Sequence, residues 1–152
     1  MILHALNELE ELYKEKIDII VLLRPTSPLR PSGLIDAGIE LLIQHPKATS
    51  VRAVSLTKEH PYRQWTLKEN YISSFAHSFS DELEPFNLPR QKLPDVFFQT
   101  GDIEIVRRET LLGGSISGDH ILPLIIDASQ VFDIDSQEDF EKAEKNLEKL
   151  KE

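Results

Sequence analysis

The apolar run Ile17–Leu23 (IDIIVLL) constrains the fold of this chain more than any other feature. It is apolar except for Asp18 and contains four β-branched residues, which is typical of a strand buried on both faces of a parallel sheet. Apolar residues recur at helical spacing before and after the run, and Thr49–Leu56 (TSVRAVSL) then alternates in the manner of a strand. This order of helix, strand, helix and strand predicts an α/β sheet.

Each predicted helix carries apolar residues at helical spacing. They are Ile2, Leu6, Leu9 and Tyr13 in the first helix, Leu34, Ile35, Ile39 and Leu42 in the second, and Phe140, Ala143, Leu147 and Leu150 in the last. Ser32 is predicted to cap the second helix, and Ser136 with Asp139 has capping-box spacing at the start of the last. Further strands are predicted at Val96–Phe98, Ile103–Arg107 and Ile121–Ile126.

The segment at about residues 57–98 interrupts this rhythm. It is rich in proline, serine and aromatic residues and carries only weak strand signals. Irregular stretches of this length inside a compact domain are usually functional or disordered, and the aromatic residues argue against full disorder. We therefore predict one domain over residues 1–152, with an arm at about 57–98 that packs on a partner subunit.

Length and charge exclude several classes of protein. A chain of 152 residues without cysteine normally forms one domain and cannot form a disulfide framework. The formal net charge of −9 argues against binding to nucleic acid, but a few local arginines can still bind one small anion. No apolar run is long enough to cross a bilayer and no secretory signal is recognisable, so we predict a cytoplasmic protein without a membrane partner.

The loop Arg24–Arg30 (RPTSPLR) follows the apolar run directly. In open α/β sheets, ligands bind at the carboxyl ends of strands, where such loops lead into helices. Its prolines fix the backbone, while Thr26 and Ser27 offer hydroxyl groups near a helix start. The loop is therefore a candidate ligand site; the alternative is a rigid loop whose hydroxyl groups bond to nearby backbone.

A pair of carboxylates, Asp133 and Asp135, lies at the end of a second apolar run. If the backbone is extended there, both side chains point the same way. Two such carboxylates suit Mg²⁺ that is bound together with substrate phosphates. The alternative is that one caps the helix that follows and the other is solvated.

The stretch 88–112 supplies further candidates. Arg90 lies between prolines in the arm, where simple solvation is the alternative role. Gly101 interrupts a strand pattern, which often marks a bulge or a close approach of the backbone to a ligand. Gln99 and Thr100 are polar where a buried strand favours apolar residues.

The order of these motifs resembles the CMP-N-acylneuraminate synthetase family. That family has a QPTSPLR-like loop, a histidine–proline turn with a basic residue, an RQ-x-LP segment, an NGAIYI-like strand and an IDIDTELDF motif. The matching residues here are Arg24–Arg30; His60, Pro61 and Arg63; Arg90, Gln91, Leu93 and Pro94; Thr100–Ile105; and Phe132–Phe140.

The resemblance implies a Rossmann-like nucleotide-sugar transferase sheet with helices on both faces, and a homodimer formed through the arm. It implies an enzyme that couples CTP to a nonulosonic acid and releases pyrophosphate, with Asp133 and Asp135 as catalytic residues that hold Mg²⁺. The substrate contacts that it implies are Arg24, Thr26, Ser27, Arg63, Arg90, Gln99, Thr100, Gly101 and Glu104, with Arg63 and Arg90 approaching the acidic sugar.

The sequence also departs from the family pattern. Arg24 stands where the family has glutamine, Thr100 where it has asparagine, and Glu104 where it has tyrosine, so a different acidic sugar is expected. The family's ARGGSKG-like triphosphate loop has no counterpart, so we expect an N-terminally incomplete sheet and a fragment of the full enzyme. The alternatives are another sugar nucleotidyltransferase of the same fold, or a non-catalytic module that binds sugar or dimerises.

Overall fold

The computed structural model describes residues 1–76 and 80–149. The helices are α1 (Ile2–Tyr13), α2 (Leu34–Gln44), α3 (Arg108–Leu112) and α4 (Gln137–Lys149), and the strands are β1 (Ile19–Leu22), β2 (Ser50–Leu56), β3 (Trp65–Lys68), β4 (Tyr71–Ser74), β5 (Phe97–Arg107) and β6 (Ile121–Ile125). Short 3₁₀ turns occur at Pro61–Arg63, Pro85–Asn87 and Arg90–Lys92. Across the described ranges, no helix has the length and hydropathy that a membrane span requires.

The main sheet is mixed, with strand order β1-β5-β2-β6. Strand β2 pairs in parallel with β6, whereas β1 pairs antiparallel with β5, with Leu22 opposite Glu104. The prediction that Ile17–Leu23 is a strand buried on both faces of a parallel sheet is therefore wrong. Because β1 ends the strand order and has one hydrogen-bonded neighbour in the described sheet, its residues are only half-buried.

Helix α2 packs closely on this sheet. Gly38 allows the approach, since an added Cβ would lie 2.5 Å from Cδ1 of Ile105. The predicted apolar face of α2 is confirmed, because Leu34 and Leu42 are buried and Ile35 and Ile39 pack against the same core. The predicted cap is wrong: Gly33, not Ser32, is the N-cap, with φ 76° and no side-chain hydrogen bond.

Helix α4 begins with the predicted capping box. The hydroxyl of Ser136 accepts a hydrogen bond from the Asp139 amide at 3.2 Å and donates to the Asp139 carboxylate at 2.6 Å. Of the predicted apolar face, Ala143 is buried, whereas Phe140 and Leu147 are largely exposed. Leu150 lies outside the described residues.

The chain divides into two compact units, residues 1–55 with 99–152, and Leu56–Phe98. The second unit contains a hairpin of β3 and β4, in which Trp65 lies opposite Ser74. Trp65 also packs on Phe86 with ring centroids 4.8 Å apart, and the His60 ring bonds to the Pro94 carbonyl at 3.0 Å. The segment is thus more regular than its sequence predicts, and its role in dimerisation stays a prediction.

Candidate active site

The loop Arg24–Arg30 is held in shape by its last residue. The Arg30 guanidinium donates to the Asp102 carbonyl at 2.6 Å and also to the Arg24 carbonyl. A turn closes the first half of the loop, since the Ser27 amide donates to the Arg24 carbonyl at 3.2 Å. Arg30 therefore joins both ends of the loop to strand β5.

The hydroxyl groups of this loop differ in their surroundings. Thr26 is exposed, whereas Ser27 is fully buried and its hydroxyl has no hydrogen-bond partner within residues 1–76 and 80–149. The rigid-loop alternative expects hydroxyl groups that bond to nearby backbone, and the Ser27 hydroxyl makes no such bond in the described part of the chain. Buried hydroxyls are normally bonded, so this one is a feature that packing alone does not explain.

The loop lies against the carboxylate pair. The Ile134 amide donates to the Thr26 carbonyl at 2.8 Å and also approaches the Asp133 carboxylate at 3.1 Å. Asp133 is half-buried and Asp135 is exposed. Two motifs that are separated by most of the chain are thus joined by one backbone hydrogen bond.

The helix cap uses neither of these two carboxylates. Ser136 takes that role with Asp139 as its partner, and hydrogen bonding by the Ser136 hydroxyl is the main cause that lowers the pKa of the Asp139 carboxyl group. In the part of the chain that the structure describes, Asp133 and Asp135 form no ion pair, and no group of three or more histidine, cysteine or acidic residues could hold a metal ion. Two carboxylates nevertheless fit Mg²⁺, which often uses one or two protein carboxylates and takes its other ligands from water and phosphate.

A buried carboxylate organises the middle of strand β5. Glu104 accepts hydrogen bonds from Arg24 at 2.8 Å and from the Gln99 amide at 2.9 Å, and its second oxygen lies 3.3 Å from Arg52. Arg52 also donates to Gln99 and to the Ser117 hydroxyl. The predicted site residues Arg24, Gln99 and Glu104 therefore belong to one network.

Gly101 lets Arg24 lie close to strand β5. Its φ of 80° is in the left-handed region that favours glycine. An added Cβ would lie 3.4 Å from Cδ and 3.5 Å from Nη1 of Arg24. The neighbouring Thr100 is buried, and its hydroxyl makes two long contacts, donating to the Ala53 carbonyl at 3.4 Å and accepting from the Asp102 amide at 3.5 Å.

Two residues of this region were not predicted from the sequence. Asp102 is 1% exposed, and neither of its carboxylate oxygens has a hydrogen-bond partner among the described residues. Arg52 reads in the sequence as an ordinary polar position of an alternating strand. The signal for Asp102 was its place in a strand of otherwise buried residues, where an acidic side chain requires a reason.

The remaining predicted arginines, Arg63 and Arg90, lie in the Leu56–Phe98 unit. Arg63 is exposed and donates to the Leu88 carbonyl at 3.0 Å. Arg90 is exposed at the start of a 3₁₀ turn. Both are accessible to a ligand, and their contact with an acidic sugar stays a prediction.

Comparison with known proteins identifies the fold. No protein-family model matches the chain. It is 30% identical over 141 residues to Post-translational flagellin modification protein B of Campylobacter coli, an alignment that covers 92% of this chain and 57% of that protein. It is also similar to the solved structure of CMP:2-keto-3-deoxy-manno-octonic acid synthetase complexed with CTP, with a TM-score of 0.60 and 13% identity over 93% of this chain and 66% of that one.

The chain thus spans 57% and 66% of the lengths of these two proteins. The specific resemblance to CMP-N-acylneuraminate synthetases is not tested by either match and stays a prediction. The structural match does confirm the predicted α/β class. The chain has the mixed α/β fold of CMP:2-keto-3-deoxy-manno-octonic acid synthetase.

Proposed function

We propose that this chain acts in a cytidylyltransferase that couples CTP to an acidic nine-carbon sugar, giving a CMP-sugar and pyrophosphate. The observation that carries the proposal is the 2.8 Å hydrogen bond from the Ile134 amide to the Thr26 carbonyl. It joins the loop Arg24–Arg30 to the carboxylates Asp133 and Asp135. These are the two motifs to which the family resemblance assigns substrate and metal.

The fold supports this proposal independently of the motifs. A structure with the same fold is a CMP-sugar-acid synthetase that was solved with CTP. In α/β sheets, ligands bind at loops that follow the carboxyl ends of strands. The loop Arg24–Arg30 follows β1 in this way.

In the proposed reaction, the anomeric hydroxyl of the sugar attacks the α-phosphorus of CTP. The bond from phosphorus to the sugar oxygen forms as the bond to pyrophosphate breaks, and the proton of the hydroxyl is released to solvent. Asp133 and Asp135 would hold Mg²⁺, which offsets the negative charge that develops on the phosphoryl oxygens and on the leaving pyrophosphate. The rigid loop beside them orients the substrate, and guanidinium groups suit its anionic groups because each presents several hydrogen-bond donors in one plane.

Isothermal titration of CTP into the chain, with Mg²⁺ and then with a chelator, tests this proposal. We expect saturable binding that depends on Mg²⁺ and that the Asp133→Asn, Asp135→Asn variant lacks. Asp119→Asn is the matched control, since Asp119 is an exposed carboxylate distant in sequence from both motifs. N-Acetylneuraminate is titrated next, and its binding is expected to strengthen when CTP is present.

Different outcomes separate the candidate functions. Absence of Mg²⁺–CTP binding by a folded chain would contradict the proposal for this chain. Binding of the sugar without the nucleotide would favour the non-catalytic module. Binding of another nucleoside triphosphate in preference to CTP would favour a different sugar nucleotidyltransferase.

A further inference from the structure

Arg24 is held in one orientation but is only partly used by the protein. Its Nη2 donates to Glu104 at 2.8 Å, and its side chain lies against Gly101. The side chain is nevertheless 52% exposed. Among the described residues its Nε and Nη1 have no hydrogen-bond partner, so the protein leaves donors of this half-exposed guanidinium unused.

Glu104, in contrast, is largely occupied by contacts within the protein. One of its oxygens accepts from Arg24 and from Gln99, and the other pairs with Arg52 at 3.3 Å. Its side chain is 7% exposed. The substrate contact that the sequence predicted for Glu104 stays a prediction, and these three donors give the carboxylate a second role.

The charges of this network favour an anion. Two guanidinium groups, those of Arg24 and Arg52, share the single carboxylate of Glu104, which leaves a net positive charge. Arg52 is 18% exposed and bonded to Gln99 and Ser117, so the excess charge is accessible at Arg24. The guanidinium of Arg30 bonds to the Arg24 carbonyl and so adds to the positive charge near Arg24.

We propose that Arg24 is the anion-binding residue of this site and that Glu104 is a positioning residue, which holds the Arg24 guanidinium against Gly101 so that its remaining donors receive an oxyanion. The shared chemistry of the ligand is a planar or tetrahedral oxyanion, which a guanidinium group binds through charge-assisted hydrogen bonds. Its source is the sugar carboxylate or a nucleotide phosphate. The choice of these sources rests on the proposed function, whereas the anion-binding role does not.

The test observes the arginine Nε resonances of the ¹⁵N-labelled chain by NMR. The probes are N-acetylneuraminate, inorganic pyrophosphate and Mg²⁺–CTP, added separately. We expect a saturable shift of the Arg24 Nε signal. A shift with N-acetylneuraminate alone identifies a carboxylate, and a shift with pyrophosphate and Mg²⁺–CTP identifies a phosphate.

A double-mutant cycle tests the positioning role. Arg24→Gln is expected to weaken the binding of whichever probe shifts the Arg24 signal by about tenfold or more, because charge-assisted hydrogen bonds are lost. Glu104→Gln is expected to weaken binding of the same probe as well. In a chain that already carries Glu104→Gln, adding Arg24→Gln should lower the affinity by less than about threefold. A purely structural Glu104 would leave the effect of Arg24→Gln unchanged. Lys47→Gln removes an exposed charge elsewhere and serves as the control.

Several results would overturn the inference. They are an Arg24 Nε signal that none of the three probes moves, equal affinity of Arg24→Gln and the unmodified chain, or additive effects in the cycle. If Glu104→Gln does not fold, Arg24→Lys carries the test, because it keeps the charge but not the planar guanidinium and should still lose about tenfold in affinity for the probe. Unchanged affinity of Arg24→Gln for all three probes, together with loss of Mg²⁺–CTP binding in the Asp133→Asn, Asp135→Asn variant, would sink this inference and leave the proposed function standing. Pyrophosphate bound at Arg24 without any binding of CTP would do the reverse.

Discussion

The guanidinium of Arg24 and the carboxylate of Glu104 lie 2.8 Å apart, although 80 residues separate them in the chain. The pair is asymmetric, because Glu104 is buried while Arg24 is half exposed. Arg52, which is mostly buried, depends on the same carboxylate. Removal of the Glu104 carboxylate therefore affects stability differently from removal of the Arg24 guanidinium.

Glu104→Ala is expected to lower the free energy of unfolding by about 3 kcal/mol, because it leaves the mostly buried Arg52 without its counter-charge. Arg24→Ala is expected to cost less than about 1 kcal/mol, since exposed ion pairs contribute little. Urea denaturation at neutral pH measures both. Equal losses for the two variants would contradict the asymmetry.

Asp102→Asn is expected to stabilise the fold by about 1–2 kcal/mol, because a buried carboxylate without partners carries a desolvation cost that a neutral amide reduces. Thermal and urea unfolding provide the measurement. The exposed Asp119→Asn should leave stability unchanged. A less stable Asp102→Asn protein would mean that the carboxylate has a stabilising partner in solution.

Gly101→Ala is expected to cost about 1 kcal/mol of stability, since φ is 80° there, and to weaken anion binding because its Cβ crowds Arg24. Gly33→Ala is the matched control: φ is 76°, but no atom lies within 4 Å of the added Cβ. Both variants should lose similar stability in urea. Only Gly101→Ala should lose affinity for the anion, and similar affinities would argue against the contact with Arg24.

Acid should weaken the link between α1 and α3. Arg108 donates two hydrogen bonds to Glu10, at 2.7 and 2.9 Å, and with the Ile17 amide these lower the pKa of Glu10 from 4.5 to about 2. A pKa that is depressed in the folded state stabilises above about 4.5, and this contribution is lost as the pH falls toward 2.

Glu10→Gln should therefore lower stability at neutral pH and flatten the decline between about pH 4.5 and 2. Thermal unfolding across that interval measures the slope. Glu11→Gln, on the exposed part of the same helix, is the control and should keep the slope of the unmodified chain. An unchanged slope in Glu10→Gln would show that other carboxylates dominate the acid response.

Local signals were sufficient for much of the fold. Spacing alone located α1, α2 and β2, and Ser136 with Asp139 marked the start of α4. The hairpin of β3 and β4 was missed because its turn has Glu69 at φ 55°, where the usual signal is glycine or asparagine.

Contacts between distant segments could not be read from the sequence. The residues Arg24 and Glu104 each stood out as departures from a family pattern, but nothing in the sequence indicated that they pair. The edge position of β1 could not be predicted for the same reason. Pairing with β5 decides this position, and the composition of Ile17–Leu23 does not. The sequence indicated candidate loops, and the tertiary fold decided which of their side chains meet.

The strand order β1-β5-β2-β6 also governs how this chain acquires its structure. No two strands that are consecutive in the sequence are neighbours in the main sheet, so each pairing has to close a long loop. We therefore expect slow folding, with the local hairpin of β3 and β4 forming first. During synthesis on the ribosome, the partners that β1 and β2 have in the described sheet, β5 and β6, emerge after them, and until then these pairings leave the apolar residues of both strands open to aggregation and to chaperones.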